Sequence, residues 1–236
     1  MNYAEDKNKI ILFSDKPILN PAEVIEYQNL ASNYSIYLNT LLYSNWIEIF
    51  SEFKKYYNVI FFMNEKDKNH LPKYFLPEDA NVKFYDTKIP NSLPESLLKI
   101  TSVRNEKTLI LFSNAIGINN KDIIRIFNLL QSDEPSVVIG KTGKDQIIFI
   151  CTTGIDKYLI DPILKSDRNY SRYLVSISGK DIFINTMNDF LSINDFEDIK
   201  KLYIELSKKE SLSYCSPKMH EKFNDLFIEY KDLLNV

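Results

Sequence analysis

Cysteine, histidine and surplus positive charge are all scarce in this chain. Its 236 residues include two cysteines, Cys151 and Cys215, and two histidines, His70 and His220. Neither cysteine belongs to a CxxC pair or a regular framework, which excludes a disulfide scaffold and dedicated zinc or iron-sulfur ligation and fits a reducing compartment. Neither histidine has a second Cys, His or carboxylate at ligand spacing, so packing or surface roles are expected for both. Basic excess is also missing: 29 Lys and Arg stand against 32 Asp and Glu, a formal net charge of −3. Nucleic acid is therefore not an expected partner, because its phosphate backbone would meet no general positive field.

Long apolar runs are absent as well. The opening MNYAEDKNK carries acidic residues ahead of a short apolar run, which is too brief for a signal-peptide core or a membrane span. The amphipathic segments mix both signs of charge and lack the lysine face of a membrane-surface helix. A cytoplasmic protein with no membrane partner is expected. What is present is core material: 44% hydrophobic and 13% aromatic residues suffice for one sizeable core or two small ones, and exclude a disordered chain.

Strand-length apolar runs recur at Ile10–Phe13, Val59–Met63, Val82–Tyr85, Thr108–Phe112, Val137–Ile139 and Ile147–Cys151. Several are near-continuous, the pattern of strands covered on both faces. A helical segment, one helix or two, follows Pro21 and contains Val24, Leu30, Ile36, Trp46 and Phe50. Asn119 or Asn120 can cap the next helix, DIIRIFNLLQ, giving a strand-loop-helix-strand unit and a largely parallel sheet. Only KTGKD separates SVVIG from QIIFIC, which predicts an antiparallel pair and hence a mixed sheet. DFEDIKKLYIEL and a segment from Pro217 to Leu234 read as amphipathic helices.

Familiar catalytic motifs fail on spacing. IGKTGKD tempts a phosphate-loop reading, but GxxxxGK followed by Ser or Thr is not met, and a strand follows instead of a helix. Ser113 ends a strand without a GxSxG elbow. Asp15, Asp86 and Asp145 lie just beyond strands or in a turn, where carboxylates can face a crevice, but no DxD pair occurs.

Five phrases carry a family resemblance. FSDKPILNPAEVI is similar to FAKxPxPGxxKTRL, keeping Phe13 and Pro17 but placing Asp15 where the lysine stands. NSLPESL resembles GDLGERM, with Leu93 and Glu95 kept. LFSNAIGI resembles IGSDxPxL: Ser113 is retained, and Asn114 replaces the metal-side aspartate. VVIGKTGKDQIIFIC resembles a strand followed by GPxxDGGYYLIG, with Gly140 and Gly143 matched, and LSINDFEDIKKL resembles LxDVDTPEDLxxL, with Asn194 at the second aspartate.

Together these phrases resemble those of a GT-A-like glycosyltransferase family of unknown specificity, related to the nucleotide-diphospho-sugar transferases. The resemblance implies an α/β protein with a GT-A-like three-layer α/β/α fold and a mixed, mainly parallel sheet. It covers about residues 9–206, within a domain placed over residues 1–206, with residues 207–236 as a carboxyl-terminal helical extension. The implied site lines the strand ends. Asp145 and Asn114 would serve in catalysis, Asp15, Lys16, Ser113, Lys141 and Lys144 would hold the donor, and Asn114 would face Mg or Mn, should a metal be used. Asparagine lacks the charge of a strong Mg or Mn ligand.

Two functions remain open at this point. One is transfer of a glycosyl group from a nucleotide sugar. The other is a catalytically inactive relative that binds a ligand or a protein through its aromatic terminal segment, as a monomer or a homodimer. Both rest on one geometric expectation, that the turns after Phe13, Phe112 and Ile139 open onto a shared crevice.

Overall fold

The computed structural model describes residues 8–24, 27, 30–89, 92–101, 106–130, 135–154 and 157–234. The amino-terminal residues before Asn8, and residues 131–134 at the end of the DIIRIFNLLQ segment and just after it, lie outside that set.

Strands β1 (Lys9–Phe13), β2 (Asn58–Asn64) and β4 (Lys107–Phe112) are buried almost throughout, as their near-continuous apolar sequences require. Alternating side chains divide between two layers of helices. Ile10, Leu12, Phe61 and Leu111 pack on one face with α1 (Ser32–Ser51) and α3 (Asn120–Asn128), through Trp46, Phe50, Ile123 and Phe127. Ile11, Phe13, Phe62 and Phe112 pack on the other face with α2 (Ser92–Thr101), α4 (Lys157–Lys165) and α5 (Tyr170–Ile177). The architecture is a three-layer α/β/α sandwich.

The remaining strands are β3 (Asn81–Tyr85), β5 (Ala115–Ile116), β6 (Ser136–Thr142), β7 (Ile147–Thr153) and β8 (Phe183–Ser192). Their order is β3-β2-β1-β4-β7-β6-β8-β5. β1 pairs in parallel with β2 and β4, β2 with β3, and β6 with β8, whereas β7 runs antiparallel to both neighbours. The mixed, mainly parallel sheet expected from the short KTGKD link is therefore present. From β1 the chain builds outward through β2 and β3, then returns to place β4 on the other side of β1. That reversal opens a crevice at the strands' carboxyl ends.

Helix α1 is a single helix starting at Ser32, so Val24 and Leu30 precede it rather than lying within it. Helix α3 begins at a full capping box: the Asn119 side chain accepts from the Lys121 and Asp122 backbone N–H groups, and Asp122 accepts from the Asn119 N–H. After α6 (Phe196–Leu206), α7 (Pro217–Glu229) is followed by a short α8 (Lys231–Leu234). Met219, Phe223 and Phe227 of α7 join Leu38, Leu42 and Leu202 in a third apolar cluster. Asn45 Nδ2 donates to the Tyr214 carbonyl at 3.0 Å, and Ser216 Oγ to Glu48 Oε2 at 2.6 Å. The aromatic terminal segment thus packs on its own chain. Among the described residues, no helix is long and apolar enough to cross a membrane.

Candidate strand-end site

Parallel hydrogen bonding continues one residue past the ends of β1 and β4. Ser14 N donates to the Phe62 carbonyl at 3.0 Å and Ser113 N to the Phe13 carbonyl at 2.9 Å. The two loops are therefore side by side, with Ser14 Oγ donating to Ser113 Oγ at 3.1 Å. Asp15 and Asn114 come next on each loop. The hairpin turn between β6 and β7 reaches the same edge, since β7 starts where the parallel strands finish.

One crevice of about 430 Å³ is lined by Asp15, Lys16, Lys144, Asp145, Gln146 and Arg168, among others. A small recess beside it shares Asp15 and Lys16 and adds Ser113 and Asn114. Lys141 and Asp86 line neither. Lys141 Nζ lies 5.0 Å from the Tyr170 ring centre and 3.7 Å from Asp145 Oδ1, while Asp86 Oδ1 accepts from Lys88 N at 2.8 Å.

Arg168 joins the two parts. Its guanidinium stacks on Phe112 at 4.5 Å, Nε lies 3.2 Å from Asp15 Oδ2, and Nη1 donates to Asn114 Oδ1 at 3.0 Å. The backbone that delivers it is left-handed at both Asp167 (φ 54°) and Arg168 (φ 60°). It is fixed by Arg168 N to the Ile163 carbonyl at 3.1 Å and by Ile147 N to the Arg168 carbonyl at 2.7 Å. An amide chain extends from there. Asn114 Nδ2 donates to Asn194 Oδ1 at 2.9 Å, and Asn194 Nδ2 donates to Gln146 Oε1 at 2.7 Å.

The far side of the crevice is acidic. Asp195 caps α6 by accepting from Asp198 N at 2.8 Å. Lys144 Nζ sits between Asp195 Oδ2 at 2.9 Å and Asp198 Oδ1 at 2.7 Å. Burial pulls the Lys144 pKa down, but the two carboxylates outweigh it and hold the ammonium above its ordinary value. Burial likewise pushes Asp195 up, and Lys144 with the α6 amide brings it below the usual carboxylate range. Asp145 is also held low, chiefly by hydrogen bonding from Ser171, whose N–H reaches Asp145 Oδ2 at 3.2 Å.

Apart from the exposed Asp167 carboxylate, the crevice carboxylates named above and Asn114 Oδ1, which could ligate Mg or Mn, already face the chain's own cations. Asn114 Oδ1 and Asp15 Oδ2 point at Arg168, and the Asp195 and Asp198 carboxylates point at Lys144. Among the described residues, no group of three or more His, Cys, Asp or Glu is placed to hold a metal ion. As arranged, the donor set does not fit a hard divalent cation.

Arg168, Arg172, Asp167 and Gln146 line the crevice without having stood out in the sequence. The only signal was the polar, turn-forming stretch KSDRN between apolar segments, and nothing in it marks Arg168 as inward-facing. Cys151 and Cys215 are buried and free. Burial pushes both thiols up, Cys215 to about 12, consistent with packing roles.

No family model and no curated protein matches the sequence. Solved structures do. One is a provisionally named nucleotide-diphospho-sugar transferase from Desulfovibrio desulfuricans G20, with a TM-score of 0.70 and 11% identity over 98% of this chain and 97% of that one. Another is 4-diphosphocytidyl-2C-methyl-D-erythritol synthase from Anaerococcus prevotii DSM 20548, with a TM-score of 0.51 and 14% identity over 86% of this chain and 100% of that one. At such identities the likeness establishes the fold alone: it is GT-A-like.

Proposed function

We propose that the chain binds a nucleotide-diphospho sugar in the strand-end crevice and transfers its glycosyl group to an acceptor. The observation that carries this reading is the crevice's position at the switch between β1 and β4, where open α/β sheets bind nucleotides. Its lining agrees. Lys16 and Arg172 line it with no ion-pair partner among the described residues, and so are free to meet phosphate oxygens. Ser113 offers a hydroxyl in the adjoining recess for the donor, while Asn114, already bonded to Arg168 and Asn194, shapes that recess. The names of the two similar structures, a nucleotide-diphospho-sugar transferase and a diphosphocytidyl synthase, fit the same ligand class.

In the transfer, an acceptor hydroxyl oxygen bonds to the anomeric carbon. The bond from that carbon to the diphosphate oxygen breaks, its electron pair leaving on the diphosphate, and the acceptor proton passes to a carboxylate. Asp145 is occupied by Ser171 and Lys141 and held low, which makes it a weak base. Asp167 is exposed at the crevice and better suited to take the proton. Calorimetric titration with a panel of nucleotide sugars tests donor binding, and release of nucleoside diphosphate tests turnover. Absence of saturable binding across the panel would sink the proposal.

Binding without turnover is the second reading. It is favoured by the amide chain from Asn114 through Asn194 to Gln146, which supplies hydrogen bonds but no negative charge. Saturable donor binding with no product release, unchanged by adding acceptors, would select it.

A further inference from the structure

The cation at the switch point is part of the polypeptide. Arg168 is nearly buried, stacked on Phe112, and held on one side by Asp15 and on the other by Asn114. Its backbone is bonded at both N and O, so the guanidinium is delivered to a fixed place. A guanidinium carries five N–H donors, and only Nε and Nη1 face Asp15 and Asn114. Nη2 has no partner among the described residues, in a side chain that lines the crevice. A planar donor fork held this way suits two phosphate oxygens at once.

We infer that Arg168 is the resident cation of this site and that it binds the diphosphate without a divalent metal. This rests on the donor-binding reading above. Asp15 and Asn114 are then positioning residues: their oxygens orient and partly neutralise Arg168 instead of ligating an ion. A divalent ion between them would displace the guanidinium from both partners and be repelled by it at close range. Lys16 and Arg172, both on the crevice wall, supply further positive charge to the same anion.

The experiment is a calorimetric titration of the full chain with inorganic pyrophosphate, in EDTA and again with Mn²⁺. Saturable binding in EDTA, not tightened by Mn²⁺, is the expected result. Binding only with Mn²⁺, or no binding under either condition, overturns the inference, whereas the donor-binding reading stands or falls with the nucleotide-sugar panel. Arg168→Gln is expected to weaken pyrophosphate binding in EDTA by about tenfold or more, and unchanged affinity would overturn the assignment. Because Arg168 also packs, Asp15→Asn supplies an independent arm whose sign separates the alternatives. Removing the negative charge while keeping an acceptor for Arg168 should tighten pyrophosphate about threefold to tenfold. A metal ligand at Asp15 predicts weakening instead, and that outcome also overturns the inference.

Discussion

Asp67 Oδ1 lies 2.8 Å from the backbone nitrogen of Leu19. The same fully buried carboxylate accepts from Ile18 N at 3.0 Å and Asn20 N at 3.0 Å. Three consecutive amides of the β1 loop, which no strand or helix satisfies, thus converge on one side chain brought in by the 3-10 turn Glu65–His70. This anchor fixes the segment that carries Asp15 and Lys16. Burial works against the charge and pushes the Asp67 pKa above its ordinary value, although the amides and His70 draw it back. Asp67→Ala removes the acceptor and leaves the amides unpaired. It should cost about 3 kcal/mol, read as a lower urea midpoint at unchanged m-value. An unaltered midpoint would show that the loop is held by something else.

Gly140 has a packing reason that has nothing to do with phosphate. It faces Phe149 across the β6–β7 pair, and a Cβ built on it would lie 2.0 Å from Phe149 Cε1. The ring is backed by Phe190 at 5.8 Å, which limits its escape. Gly140→Ala should therefore destabilise the protein by about 1–3 kcal/mol, seen as a drop in Tm. Gly143→Ala meets nothing within 4 Å and serves as the control, with little or no change expected.

The doubly covered strands were legible because burial on both faces leaves few polar positions: Ile10–Phe13, Val59–Met63 and Thr108–Phe112 all fall within observed strands. The KTGKD turn betrayed the antiparallel β7 by its brevity alone. β8 gave no such signal. It is largely exposed, its register shifts against β6, and Asp189 interrupts it in the left-handed region, so FINTMNDFLS shows neither alternation nor an apolar run. Helix α4 was concealed by Pro162, which reads as a breaker yet lies inside the helix. Asp15, Lys16, Ser113 and Asn114 could be placed at strand ends from local pattern. Arg168 could not, because its partners stand 153 and 54 positions away and meet it only through the sheet order. The same long-range pairing gives Lys144 to Asp195 and Asp198, so two carboxylates of its own chain meet the charge that the family resemblance assigns to the donor.

That lysine makes a prediction about proton affinity. Asp195 is held below the usual carboxylate range with Lys144 as its main charged partner, so Lys144→Met should move its titration midpoint up toward the ordinary aspartate value. A carboxyl-carbon NMR titration reads this directly. The linkage sign follows from the depressed folded pKa: the stabilisation is present above the unfolded value and lost as pH falls through the folded one. The variant should accordingly show a shallower acid dependence of stability below about pH 4. An Asp195 midpoint that stays put would mean that the α6 amides alone set it.

His220 gives the opposite end of the same logic. Its Nε2 lies 3.0 Å from Ser211 Oγ, whose own proton is directed at the Lys208 carbonyl at 2.6 Å, so the ring nitrogen donates to the hydroxyl. Burial lowers the His220 pKa below its ordinary value, because the folded state disfavours the charged ring. The unfolded chain then takes up a proton first as pH falls through about 6.5, and stability declines from there until the folded-state pKa is passed. His220→Gln keeps a donor for Ser211 but cannot titrate. Urea unfolding from about pH 7.5 to about pH 5 should show a declining free energy in the parent and a flatter profile in the variant. Parallel profiles would place the acid-sensitive group elsewhere and leave the α7 contact indifferent to charge.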